Sequence, residues 1–135
     1  MDIKIAAAAV MRADGATLLV RKRGTDAFMQ PGGKIDAGET PVVALCRELY
    51  EELGIQITAD AAEYLGFYQA PAANEVGSTV SAEMFRIEVD VEIAAQAEIE
   101  EAIWVDRQAA NQLTLAPLTR DKVLPAIWGS VEAGA

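Results

Sequence analysis

Histidine is absent from the chain, and that absence removes whole classes of chemistry. Ser-His-Asp and Cys-His catalysis need an imidazole, as do the histidine-rich zinc sites of metalloproteases. Acid–base work must then come from carboxylates, lysine, tyrosine or metal-bound water. Cysteine is nearly absent too. Cys46 stands alone, so no internal disulfide forms and nothing points to an oxidising compartment. It falls on an apolar stripe, where a free cysteine reads as a small core residue rather than a nucleophile. Positive charge is scarce: 11 Lys and Arg face 21 Asp and Glu, a formal charge of −10. That balance argues against a nucleic-acid duplex as partner, because binding the phosphate backbone draws on excess cations. The apolar start, Ile5–Met11, is too short to span a membrane. It lacks a clearly basic leader and turns polar at Arg12, so the reading is a cytoplasmic protein with no signal peptide and no membrane partner.

What is present is an apolar-rich chain of 135 residues, 52% hydrophobic, read as one domain over residues 1–135 with a substantial core. Its most pointed feature is the run Arg47-Glu48-Leu49-Tyr50-Glu51-Glu52-Leu53-Gly54. At about 100° per residue, with Glu48 at 0°, Glu51 falls near 300° and Glu52 near 40°. Like charges at these spacings destabilise a helix by roughly 0.2–0.5 kcal/mol per pair, a repulsion that a hard divalent cation relieves. Thr40 is the expected N-cap, Pro41 suits the first turn, and Gly54 suits the left-handed C-cap. Val42, Leu45, Cys46, Leu49 and Leu53 form the expected core stripe, leaving the carboxylates the remaining side. Arg47, one turn before Glu51, is placed to pair with it.

Pro31-Gly32-Gly33 precedes this helix, and paired glycines let a backbone bend sharply and approach a ligand. A backbone carbonyl there adds to the oxygen donors. The loop is not a Walker A motif, since Phe28 stands where glycine is required and Ile35 follows Lys34. The full spacing is Gly33, five residues, Glu39, seven residues, Arg47-Glu48-Leu49, one residue, Glu51-Glu52, one residue, Gly54-Ile55. It resembles the Nudix box, the signature of hydrolases that cleave a nucleoside diphosphate linked to another moiety, with every fixed position filled.

The resemblance implies an α/β/α sandwich, a mixed sheet flanked by helices. The order of elements agrees. Strands are expected over Ile3–Arg12 and Thr17–Arg23, joined around Asp14-Gly15, with a short extended lead at Phe28–Pro31. Further strands are expected at Gln56–Thr58, Tyr64–Ala70, Thr79–Val89 and Ile103–Val105. Helices are expected at Arg107–Gln112 and Thr119–Val131, with Pro117 interrupting and Pro125 starting or kinking a turn.

The resemblance further implies Mg²⁺, with Mn²⁺ as substitute, held by Gly32, Glu48, Glu51, Glu52 and Glu98, and metal-assisted substitution at phosphorus. Glu51 or Glu98 would act as base, while Glu39 and Arg47 would orient the cluster. Glu98, six residues before Trp104, fits a loop glutamate of the family better than Glu100 or Glu101. Arg23, Phe28, Gly33 and Lys34 are the substrate-binding candidates. Phe28 reads first as a core aromatic and second as a base-stacking one, and Arg21 and Arg23 alternate onto one strand face that reads equally as a solvated edge. Tyr68, Pro71 and Asn74 are at most pocket lining. Gln30 departs from the pattern, standing where many relatives carry an apolar residue. A small nucleotide is the expected partner. A nucleoside triphosphate leads, ADP-ribose or a nucleotide sugar follows, and a non-catalytic nucleotide-binding module is the remaining alternative. A homodimer is compatible with each.

Overall fold

The computed structural model describes residues 1–129. Its centre is β1, Asp2–Met11, whose run Ala6–Val10 is buried on both faces. Alternation along the strand splits the core in two. Ala6, Ala8 and Val10 face one helical layer, and Ala7, Ala9 and Met11 face the other. Alanines at these positions let helices approach the sheet closely from both sides.

Around β1 lie β2 (Thr17–Lys22), β3 (Phe28–Met29), β4 (Gly32–Lys34), β5 (Glu63–Pro71), β6 (Thr79–Glu88) and β7 (Ile99–Val105). They form a seven-stranded mixed sheet with path β3-β2-β1-β6-β5, β4 also pairing β1 and β7 pairing β2. The β1–β6 pairing is parallel and the others are antiparallel. Asp14-Gly15 makes the expected β1–β2 turn, Gly15 adopting φ 88°.

Helix α1, Pro41–Leu53, packs on the Ala6/Ala8/Val10 face through Ala44, Leu45, Leu49 and Leu53. Its ends are as the sequence indicates: the Thr40 side chain accepts from Val43 N–H, Pro41 sits in the first turn, and Gly54 closes it at φ 70°. On the opposite face lie a π-helical segment, Thr119–Val123, and α3, Leu124–Trp128, with Leu118 and Val123 in the core. Between β7 and this layer runs the short α2, Arg107–Ala110.

Several boundaries differ from expectation. Residues 56–58 form no strand among the described residues and are followed by a 3₁₀ turn, Ala59–Ala61. β7 begins at Ile99, so Glu100 and Glu101 are strand residues, with Arg21 opposite Glu101. Pro117 carries helical backbone at the start of the C-terminal run rather than interrupting it. The π-helical turn just ahead of Pro125 is where the ladder absorbs a residue with no N–H to donate. The expected end of that helix at Val131 lies outside the described residues. Among those described, no helix is long and apolar enough to cross a membrane.

Candidate active site

The site is built where α1 lies against β4. Its buried face is wider than the apolar stripe. Taking Glu48 at 0°, the sheltered arc runs from Ala44 near about 320° through Glu52 near 40° to Leu53 near 140°. Glu48 and Glu52 therefore sit inside the packed face rather than opposite it, which corrects the expected separation of carboxylates from core. Cys46, at the far edge of the arc, is half-buried, and burial raises its thiol.

The glycines make this packing feasible. A Cβ on Gly33 would lie 2.4 Å from the Glu48 carboxyl carbon and 2.6–2.7 Å from its oxygens. One on Gly32, at φ +149°, would strike the Ala6 carbonyl at 2.2 Å. Ala8 N–H to Pro31 and Ile35 N–H to Lys4 mark the hydrogen-bonded positions of the β1–β4 ladder. By alternation Gly32 falls between them, and its N–H turns to Glu52 Oε1 at 3.3 Å.

Glu52 is only 2% exposed. Its Oε2 is sealed from solvent and has no hydrogen-bond partner among the described residues. Burial, reinforced by the charge of Glu48, pushes its carboxyl up to about 8, with the Gly32 N–H and Lys22 opposing and Glu98 adding to the rise. Glu48, its side chain 15% exposed, is held by Arg47 Nη1 at 2.8 Å.

Arg47 organises the surroundings. Its Nε and Nη2 donate to the two oxygens of Glu39 at 2.8 Å, and Nη2 also donates to the Lys34 carbonyl at 3.1 Å. Glu39 additionally accepts from Asp36 N–H, and these bonds, Arg47's first, hold its carboxyl down at about 2. Glu51 is a lesser partner at 3.5 Å, its side chain 52% exposed. The expected Arg47–Glu51 pair is thus secondary to Arg47–Glu39 and Arg47–Glu48.

Glu98 occupies the turn before β7, contacts Lys22 Nζ at 3.6 Å, and its carbonyl accepts from Arg23 N–H. Glu101 is instead bound to Arg21. Two substrate-binding candidates are displaced. β2 ends at Lys22, so Arg23 lies beyond the strand and exposed, and Lys22 rather than Arg23 lines the neighbouring cavity. Phe28 packs with Leu19, Val105, Ala110 and Leu124, and Arg21 lies over its ring, which leaves no open face for a base.

The cavity adjoins the glycine loop and has a volume of about 140 Å³. Gly32, Gly33, Lys22 and Lys34 border it, with apolar lining from Ile3, Ile5, Met29, Val80 and Leu118. Pro71 and Asn74 reach it, but Tyr68 does not. Lys22 and Thr119 were missed by sequence reasoning. Alternation opposite Arg21 would have indicated Lys22, whereas nothing local marks Thr119.

Among the described residues no three acidic side chains already converge as a cage. The site nonetheless fits a hard cation. Mg²⁺ typically binds through one or two carboxylates plus water and substrate phosphates. Glu52 Oε2 is a buried oxygen lacking a partner beside a second carboxylate, and no histidine is available to favour zinc.

Comparison with known proteins agrees with this architecture. The NUDIX domain family matches residues 2–127. An 8-oxo-dGTP diphosphatase of Escherichia coli (strain K12) is 43% identical over 54 residues, covering 36% of this chain and 42% of the relative. An RNA pyrophosphohydrolase of Halorhodospira halophila is 50% identical over 42 residues, 31% of this chain and 23% of that one. The matches thus span less than half the length of these relatives. The MutT protein from Methanosarcina mazei Go1 shares the fold with a TM-score of 0.76 at 20% identity, over 93% of this chain and 92% of that one. A MutT NUDIX hydrolase from Burkholderia pseudomallei gives 0.70 at 26% identity, over 94% and 96%. With the match running nearly end to end, the chain belongs to the NUDIX domain family.

Proposed function

We propose that this chain hydrolyses a phosphoanhydride bond of a nucleoside triphosphate, with Mg²⁺ as its cation and Mn²⁺ as a working substitute. One observation carries the reading: Glu52 Oε2 is buried and unpartnered beside Glu48, next to a lysine-flanked cavity. A buried carboxylate in that state is costly unless a cation completes it. Glu48 and Glu52, with the Gly32 carbonyl, are the groups that would hold the ion. When bound, it supplies neutralisation of phosphate charge and a water of lowered pKa.

The remaining work falls to the chain's own side chains. Glu51, exposed and only loosely tied to Arg47, is the first carboxylate free to accept a proton from the attacking water, and Glu98 is the second. Arg47 and Glu39 are positioning residues, fixing Glu48 through paired short bonds. Lys22 and Lys34 receive phosphate oxygens, and the apolar lining takes the nucleoside. The relatives named diphosphatase and pyrophosphohydrolase support the reaction class.

A hydrolysis screen over normal and oxidised nucleoside triphosphates, ADP-ribose, nucleotide sugars and dinucleoside polyphosphates, with Mg²⁺ or Mn²⁺, tests the reading. Release of a monophosphate and pyrophosphate from a triphosphate is expected. Turnover confined to ADP-ribose or nucleotide sugars would move the substrate to the diphosphate class, and binding without any turnover would make the chain a nucleotide-binding module.

A further inference from the structure

Gln30 is 5% exposed, borders the cavity, and has no partner for its Nε2 among the described residues. Its Oε1 is committed: the Thr119 hydroxyl donates to it at 2.8 Å. Thr119 is itself fully buried and lines the same cavity. The amide is therefore held at its oxygen end, and its two N–H donors find neither solvent nor a protein acceptor. A buried donor left unmade is costly, and an apolar side chain of equal length would fill the position without that cost.

From this juxtaposition we infer that Gln30 reads the nucleobase. Its Nε2 donates to the O6 of a purine or the O4 of a pyrimidine, so the site selects 6-keto purine and 4-keto pyrimidine nucleotides over their 6-amino and 4-amino counterparts. The inference rests on the nucleotide reading above and names the class of base. Lys22, Lys34, Gln30, Gly32, Gly33 and Thr119 all line one cavity, and Gly33 lies against the Glu48 carboxyl. With the phosphates drawn to the lysines and the glycine loop, the base would lie against Gln30 and Thr119. A carbonyl oxygen accepts from Nε2, whereas an exocyclic amine sets donor against donor. Sites that hydrogen-bond a ligand group discriminate far more sharply than apolar pockets do. Thr119 is the positioning residue, since its hydroxyl fixes which end of the amide is free.

Calorimetric titration of the full chain with GMP, AMP, UMP and CMP, in chelator, tests this without requiring turnover. Wild type is expected to bind GMP over AMP and UMP over CMP by on the order of tenfold. Gln30→Met should bring each pair to within about threefold while circular dichroism and thermal unfolding report an intact fold. Thr119→Val, which keeps the amide but frees its orientation, should give an intermediate ratio. Preference for the amino bases, an unchanged ratio in folded Gln30→Met, or no measurable binding of any of the four would overturn the assignment. A missing base preference alongside triphosphate hydrolysis would remove this inference alone, whereas base selection without hydrolysis would remove the catalytic reading alone.

Discussion

Glu52 concentrates the tension in this site. As a carboxyl raised to about 8 from a reference of 4.5, it favours the folded chain while protonated. That contribution is fully present below about pH 4.5 and lost as pH rises through about 8. Glu39, held at about 2, acts in the opposite sense: its contribution is present above about pH 4.5 and lost as pH falls toward 2. Without metal, thermal unfolding should therefore peak near pH 5 and weaken toward pH 8. Glu52→Gln should flatten the alkaline limb and raise the apo midpoint at pH 8, measured by scanning calorimetry in chelator. An unchanged alkaline limb would show that the carboxylate is not strained there. Gly33→Ala probes the same contact from the other side. Its methyl would fall 2.4 Å from the Glu48 carboxyl carbon, so a loss of about tenfold or more in kcat/KM is expected with modest loss of stability, and normal activity would mean that the loop yields freely. The burial of Glu52 was legible in angle arithmetic, since about 40° adjoins the apolar arc that begins near 60°. What the apolar stripe did not reveal was the extension of the sheltered arc to Ala44, because an alanine carries little hydrophobic signal.

Helix α1 works as a bracket. Its Arg47 joins Glu39 before the helix to Glu48 on it, and both ends are capped as the sequence indicated. Arg47→Lys keeps the charge but loses the fork that grips both Glu39 oxygens. Weakening of the apparent Mg²⁺ affinity by about 10- to 100-fold is expected, read from the Mg²⁺ dependence of turnover, and an unchanged affinity would deny Arg47 its positioning part. The turn before β7 offers a second comparison. Glu98→Gln should lower kcat while leaving apo stability nearly unchanged, since the side chain is exposed and pairs only loosely with Lys22 at 3.6 Å. Glu101→Gln should spare kcat and cost at most about 1 kcal/mol through its surface pair with Arg21. If Glu98→Gln is silent, Glu51 becomes the sole base candidate. Here local pattern was informative about which glutamate sits in the turn but not about where β7 begins, because Glu100 and Glu101 dilute the strand signal and only pairing with β2 makes them extended.

The sheet brings together what the sequence keeps far apart. Gly32 meets Glu52 of α1 and shares a cavity with Thr119 of the opposite layer, because β1 lies centrally with one helical layer on each face, a mixed arrangement that the order of elements and the box foretold. The box exposed its own cluster because that cluster is local, within a loop and a single helix. The cavity wall was partly legible: Gly33, Lys34, Pro71 and Asn74 line it as expected and Lys22 follows from strand alternation, but Gln30 and Thr119 meet only through tertiary packing, and Phe28 belongs to the core. The central claim is that Glu48 and Glu52 hold a divalent cation for phosphoanhydride hydrolysis. Its most direct test is the rate of monophosphate release from the best triphosphate substrate, followed from excess chelator through saturating Mg²⁺, in wild type and Glu52→Gln side by side. No turnover in chelator, saturable activation by Mg²⁺, and a kcat at least about 10²-fold lower in Glu52→Gln are predicted. Full turnover in excess chelator, or a Glu52→Gln rate matching wild type, would contradict it.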